Sequence, residues 1–389
     1  MKGKYISVLV VSVVVFCFVI AGAALAATEK SAPAPALETT AESAVLMEAS
    51  SGKVLWSKEP DKELPMASVT KIMTLLLAFE ALDQGKISYD DRVTASENAW
   101  KMGGSQIYLE PGEEMSMKDM LISVAVGSAN DASVAVAEHI AGSVEAFVDM
   151  MNKRARELGC KHTRFANPTG LPAENHYTSA LDMAIILREA LKYPEFVKTS
   201  SIYRYDIRGG DFVLWNTNKL LKWYRGVDAG KTGWTNEAKY CLASTAKRDG
   251  LRLISVVLGT PEPRSHFRET IKIFNYGFAR YEAVNFAQKG EKIKNVKVGK
   301  GTLDKVGVVA GADISVAVPK GQKEKYRGNV VLPEEITAPV NKGQKVGEFV
   351  VLEEDREVQR VPLVAQNTVS RASVFRQMYK VMNKVFAVE

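Results

Sequence analysis

The sequence predicts an α/β (α+β) protein: an antiparallel sheet with helices packed on its faces, then a small all-β sandwich, then a C-terminal amphipathic helix. Three observations lead there. Between Ser68 and Leu191 apolar residues recur mainly at helical spacing. From Tyr203 to Leu258 the pattern changes to paired β-rich runs joined by glycine-containing turns. Beyond residue 285 helical periodicity vanishes, and short Val/Ile-rich runs alternate with Gly, Lys and Asp turns.

The N-terminus has its own logic. Lys2 and Lys4 precede an apolar run from Ile6 to Ile20, followed by Ala23-Ala24-Leu25-Ala26. A basic start, an apolar middle and a small-residue exit describe a secretory signal peptide over residues 1–26, cleaved after Ala26. An uncleaved membrane anchor is the alternative, and either way the rest of the chain faces the outside. Residues 27–38, with Pro33 and Pro35, read as a linker.

A first domain is expected over residues 39–285. It opens with a hairpin, Ala44 to Glu48 and Val54 to Trp56 around Ser51-Gly52. A helix follows from about Ser68 to Gln84-Gly85, with Pro65 suited to its approach. Further helices are expected at Met117 to Val126, from about Ala132, at Phe147 to Leu158 and at Ser179 to Leu191. Tyr203 to Ile207 and Phe212 to Trp215 flank Gly209-Gly210 as a hairpin. Ala238 to Ala246 and Leu251 to Leu258 form another, and a helix from about Ser265 to Arg280 closes the domain. The β domain is expected over residues 286–365. Over residues 366–389, Val374, Phe375, Met378, Val381, Met382, Val385 and Phe386 recur at helical spacing among Arg371, Arg376, Lys380 and Lys384. That stripe suits a helix lying on an anionic membrane surface, or one docked on protein.

Composition narrows the function classes. With 389 residues the chain can bury a large core in two domains. A net charge of +6, without a dense basic block interleaved with aromatics, argues against nucleic acid as a partner. The four histidines are scattered and no Cys/His cluster has ligand spacing, so neither a metal nor another cofactor is called for. Cys17 leaves with the signal; Cys160 and Cys241 either pair in an oxidising compartment or stay as buried thiols.

Chemistry concentrates at Ser68-Val69-Thr70-Lys71. Residues three apart share a helix face, so the Lys71 amine reaches the Ser68 hydroxyl. A serine becomes a nucleophile when a base takes its proton, and a lysine is a base only when burial or another cation keeps it neutral. Ser-x-x-Lys recurs by chance, and Ser50-Ser51-Gly52-Lys53 is such a match within the first hairpin. A second lysine is available in Lys231-Thr232-Gly233-Trp234, on an expected strand. Lys231 and Thr232 offer a cation and a hydroxyl for a substrate carboxylate, and Gly233 would let an extended peptide lie against the backbone. Ser128-Ala129-Asn130, at a helix junction, supplies a hydroxyl for proton relay and an amide for a substrate carbonyl. Each motif has a bland reading as a turn or helix cap. Their joint occurrence in this order does not.

Ser-x-x-Lys, Ser-x-Asn and Lys-Thr-Gly are the motif set of penicillin-binding proteins and class A β-lactamases. Over essentially the whole mature chain, the sequence resembles the low-molecular-mass penicillin-binding proteins that act as D-alanyl-D-alanine carboxypeptidases. The resemblance implies a β-lactamase/transpeptidase-like first domain and a substrate that is the peptidoglycan stem peptide ending in D-Ala-D-Ala. It implies Ser68 as the acylated nucleophile, Lys71 as its base, and Ser128 with Lys231 carrying the proton to the departing D-alanine. Asn130, Thr232, Gly233 and Trp234 would bind substrate, with the Ser68 and Trp234 N–H groups as the oxyanion hole. Arg268 falls where the family places an arginine near the substrate carboxylate, with Arg264 as the neighbouring alternative. β-Lactam antibiotics would acylate Ser68, and the terminal helix would hold the enzyme at the outer face of the cytoplasmic membrane. Ala129 departs from the family's usual Ser-Gly-Asn.

Rival readings share parts of this pattern. A β-lactamase needs an acid to activate water; Glu174 lies in the right interval, but Glu-x-x-Leu-Asn is absent. A wall-binding module could keep the fold without turnover. Endopeptidase cleavage of crosslinks would use the same residues. A Ser-His-Asp hydrolase lacks Gly-x-Ser-x-Gly.

Overall fold

The computed structural model describes residues 37–378. The expected signal peptide, most of the linker and the part of the terminal helix beyond residue 378 lie outside the described residues. Five strands build the central sheet: β1 (Ser43–Glu48), β2 (Val54–Lys58), β3 (Val227–Thr235), β4 (Lys239–Arg248) and β5 (Leu251–Thr260). They run β2-β1-β5-β4-β3, each pair antiparallel. Asp249 and Gly250 both take positive φ between β4 and β5, the backbone that a tight hairpin requires. Last in the order, β3 is an edge strand with one row of backbone groups unpaired by the sheet.

Alternation along β1 and β5 sends side chains to both faces. Val45, Met47, Ile254, Val256 and Leu258 join the large core cluster on one side. Leu46 and Leu253 lie on the other, where a Cβ on Gly277 would come within 3.0 Å of either. Four helices organise these layers: α1 (Lys71–Asp83), α2 (Asn130–Ala141), α3 (Ala180–Ala190) and α4 (Ser265–Arg280). Gly277 belongs to α4, which packs against β4 and β5, while α3 packs against β1 and β5 and is backed by α1. Burial on nearly every side explains why α1 is apolar around its whole circumference.

The helix expected from Ser68 starts differently. A 3-10 turn, Ala67–Thr70, carries Ser68 and feeds into α1 at Lys71. The helix expected over Met117 to Val126 is α-helical at Met117–Ile122 and then widens into a π turn, Ser123–Gly127, closed by Ser128 at φ 62°. The Arg204–Ile207/Phe212–Trp215 hairpin forms as expected.

The C-terminal β-rich part is a sandwich. A six-stranded sheet is faced by the antiparallel pair Tyr281–Ala287 and Ile314–Pro319. Val284, Val316 and Val318 from that pair meet Val308, Phe349, Val351, Val361 and Leu363 from the larger sheet. Three of its strands, Tyr281–Ala287, Glu335–Thr337 and Arg356–Ala365, are not marked in the sequence; in the last, charged residues and Pro362 resemble a turn. Its pairing with Lys305–Ala310 ends at Leu363, and Pro362 next to it is needed on that side only as an acceptor, its carbonyl taking the Gly311 N–H at 2.9 Å.

The helix expected over residues 366–389 begins only at residue 374, because Val369 and Arg371 are held as bridges to Val340 and Gly301; residues 374–378 are helical, with Val374 and Phe375 exposed. Among the described residues no helix is long and apolar enough to cross a membrane. Cys160 and Cys241 are both buried and unpaired, which resolves the open choice in favour of thiols.

Candidate active site

The Ser68 turn is fixed from two sides by close backbone approach. A Cβ on Gly170, at φ +86°, would lie 2.0 Å from the Ala67 carbonyl oxygen and 2.8 Å from the Ser68 nitrogen. One on Gly233 would lie 2.8 Å from the Met66 oxygen and 3.0 Å from the Ser68 nitrogen. Only glycine fits either place. The reason for Gly233 is therefore the approach of β3 to the nucleophile turn of the same chain. Ala67 itself takes φ 47°, which places the strain of the turn on the residue just before Ser68.

Lys71 opens α1 and is fully buried. Its Nζ lies 3.1 Å from Ser68 Oγ and donates to Asn130 Oδ1 at 2.6 Å and to the Thr169 carbonyl at 2.5 Å. The Asn130 amide is oriented by its other end, where Nδ2 donates to the Gly103 carbonyl at 2.6 Å. A neutral amine has two N–H groups and one lone pair. With both N–H groups directed at fixed oxygens, the lone pair remains for the Ser68 hydroxyl. Burial, reinforced by the Lys231 cation, holds the Lys71 amine well below its ordinary 10.5, against a smaller opposing pull from Asp131.

Lys231, on β3, is also buried, and burial lowers its amine to about 7. Its Nζ donates to the Thr232 carbonyl at 3.1 Å, and Thr232 Oγ1 donates to Thr217 Oγ1 at 2.7 Å. Trp234 is exposed, its ring 6.0 Å from that of Tyr240. Ser128 is buried at the left-handed residue ahead of α2, and among the described residues neither lysine is hydrogen-bonded to its hydroxyl. The structure thus brings Ser68, Lys71 and Asn130 into one bonded cluster, with Lys231 close enough to act on Lys71 through its charge. Arg268 stands apart: it is exposed on α4 and pairs with Glu262 at 3.0 Å. Arg264 is exposed as well. Glu174, the acid of the β-lactamase rival, is exposed beside Asn175.

Several residues at the site escaped the sequence reading. Asp131 is buried and accepts backbone N–H groups from Ile107 (3.0 Å), Leu109 (3.1 Å) and Ala132 (2.8 Å), which fixes the loop that presents Gly103 to Asn130. Asn167 Oδ1 accepts from the Thr169 and Gly170 nitrogens at 3.1 and 2.7 Å, shaping the loop whose Thr169 carbonyl holds Lys71. The density of turn formers in Asn167-Pro168-Thr169-Gly170 was the available signal. His176, hydrogen-bonded to Thr70 Oγ1 at 2.9 Å, completes the set.

A serine hydroxyl facing a buried, depressed lysine, backed by a second buried lysine and an open edge strand, defines a serine acyl-transfer site whose base is an amine. Comparison with known proteins gives the class a name. The sequence model described as D-alanyl-D-alanine carboxypeptidase matches residues 27–262, and that of the penicillin-binding protein 5 C-terminal domain matches residues 281–371. The D-alanyl-D-alanine carboxypeptidase DacF of Bacillus subtilis (strain 168) is 43% identical over 346 residues, covering 88% of this chain and 89% of the relative. The crystal structure of penicillin binding protein 5 from Haemophilus influenzae superposes with a TM-score of 0.69 at 35% identity, covering 87% of this chain and all of that one. Penicillin-binding protein D2 from Listeria monocytogenes, in its ampicillin-bound form, gives a TM-score of 0.58 at 30% identity over 63% of this chain and 100% of its own. The chain belongs to the D-alanyl-D-alanine carboxypeptidase family.

Proposed function

We propose that the protein is a serine-type D-alanyl-D-alanine carboxypeptidase that removes the terminal D-alanine of peptidoglycan stem peptides through an acyl-enzyme on Ser68. The observation that carries this reading is the Lys71 amine, fully buried, depressed, and 3.1 Å from Ser68 Oγ. Neutral Lys71 takes the Ser68 proton as Oγ attacks the carbonyl between the two D-alanines. The developing oxyanion is met by the N–H groups of Ser68 and Trp234, each worth about 3 kcal/mol. The C–N bond then breaks, and the D-alanine amine leaves with a proton delivered from the lysine pair through Ser128. Water adds to the ester and Ser68 regains its proton.

Substrate would extend along edge strand β3, completing the open backbone row as an added strand. Lys231 and Thr232 suit the terminal carboxylate, with Arg268 as a further cation that must first leave Glu262. Asn130 keeps one amide N–H for a substrate carbonyl beyond the bond to Gly103. A β-lactam presents the same carbonyl in a ring, and its acyl-enzyme on Ser68 retains the amine.

The domain reading proposed with this function is a signal peptide at 1–26, a linker at 27–38, a carboxypeptidase domain that ends near residue 280 rather than 285 because strand Tyr281–Ala287 pairs within the sandwich, a β domain that runs on through the Val369 and Arg371 bridges, and a membrane-associating helix from residue 374 rather than 366. Exposed Val374, Phe375 and Met378 beside Arg371 and Arg376 support peripheral attachment at the outer face of the cytoplasmic membrane.

Intact mass after mixing with penicillin, followed over time beside Ser68→Ala, tests the reading. A persistent adduct on wild type alone, together with D-alanine release from a pentapeptide, is the expected result. Rapid loss of both adduct and drug would favour a β-lactamase, and no adduct would leave a binding module.

A further inference from the structure

Behind the Ser68 turn lies a polar chain that the reaction scheme does not use. His176 is buried, with both ring nitrogens engaged. The Ala166 backbone N–H points at Nδ1 from 2.9 Å, so Nδ1 is the acceptor and the ring proton sits on Nε2. Nε2 therefore donates to Thr70 Oγ1, 2.9 Å away. Thr70 Oγ1 in turn donates to the Ala67 carbonyl at 2.8 Å. Burial lowers the imidazole to about 4, with the Lys71 charge adding to the effect, so the neutral tautomer persists at ordinary pH.

The end of this chain is informative. The Ala67 carbonyl and the Ser68 N–H belong to one peptide unit, which is planar and trans, so the two point in opposite directions. Holding the carbonyl toward Thr70 aims the N–H the other way. Ala67 sits at φ 47°, a conformation that a non-glycine residue keeps only under constraint. Gly170, on a loop, and Gly233, on β3, allow backbone to approach this peptide unit, but neither offers a side chain to orient it.

We infer that His176 is a positioning residue for the oxyanion hole: through Thr70 it fixes and polarises the Ala67–Ser68 peptide so that the Ser68 N–H faces the reacting carbonyl oxygen. The inference rests on Ser68 being the acylated residue. Hydrogen bonds in series strengthen one another, so the terminal N–H gains acidity as well as direction.

The test compares wild type with His176→Ala, His176→Gln and Thr70→Val, each checked for thermal unfolding. Two readouts are taken: the acylation rate at saturating penicillin, and the affinity for a peptide boronic acid whose tetrahedral adduct on Ser68 places an oxygen in the hole. Binding of a D-alanine-terminated product peptide is the control. Losing one oxyanion donor outright costs about 10²–10³-fold. For His176→Ala and Thr70→Val, which misalign the donor without removing it, acylation is expected to fall 10–100-fold, with boronate affinity falling in step and product affinity unchanged. Glutamine, which offers one donor and one acceptor, is expected to restore most of the loss. Equal acylation in His176→Ala and wild type would overturn the inference and leave the proposed reaction intact. Product affinity falling together with boronate affinity would also overturn it, by showing a merely structural role. A wild type that forms no adduct would overturn both.

Discussion

Lys71 Nζ donates to Asn130 Oδ1 across 2.6 Å, so the asparagine of one motif decides what the lysine of another can do. The bond occupies an N–H that would otherwise compete for the Ser68 oxygen. Asn130 is thus part of the base before it is part of any substrate site.

Acylation should depend on that amine. Lys71→Gln is expected to lower the rate of penicilloyl-enzyme formation by about 10²–10⁴-fold, the usual range for a general base. Stopped-flow or intact-mass kinetics would report it. In wild type the rate should fall as pH drops and Lys71 gains its proton, with the midpoint well below 10.5.

Lys231 gives a stability signature. Burial takes its amine from 10.5 to about 7. Below about 7 folded and unfolded chains both carry the charge, and folding bears the full cost of burying it. From about 7 to 10.5 the unfolded chain holds a proton that the folded one has lost, so this contribution grows more favourable as pH rises. Lys231→Met should therefore be more stable than wild type below this window, by about 1–4 kcal/mol. The difference should shrink toward its upper end. Urea denaturation across that range measures it.

Asp131 holds three backbone N–H groups in a dry environment. Asp131→Ala leaves them unsatisfied and is expected to cost about 3–5 kcal/mol. The same change should loosen the Gly103 contact to Asn130 and slow acylation, so calorimetry and adduct kinetics should move together.

Gly170→Ala is expected to be worse than its size suggests. The new methyl would meet the Ala67 carbonyl at 2.0 Å on a backbone at φ +86°. Loss of acylation with a destabilisation of about 4 kcal/mol or more is the expected outcome. Gly85→Ala, at φ +65° with nothing within 4 Å, would show the backbone cost alone.

Much of this site was legible because its parts are local. Ser68 and Lys71 share one turn and Lys231 and Gly233 one strand; periodicity placed the helix near its observed bounds, and the strand was expected without bounds. What escaped notice was held together by distance in the chain. Asp131 meets the 107–109 loop, Thr169 meets Lys71, and His176 meets Thr70, each through a hydrogen bond that leaves no periodic trace.

The sequence by itself determined the motif set, the change from helical to alternating pattern, and the all-β character of the C-terminal part. These depend on side-chain spacing and on turn chemistry, both of which are local. Only the tertiary structure decided the protonation of the lysines, the orientation of Asn130 and the reason for Gly233. A pKa is set by desolvation and by charges brought near from elsewhere in the chain, and a glycine's necessity by the backbone that arrives beside it. Arg268 marks the same division: the family resemblance suggested the cleft, and in the folded chain it pairs with Glu262.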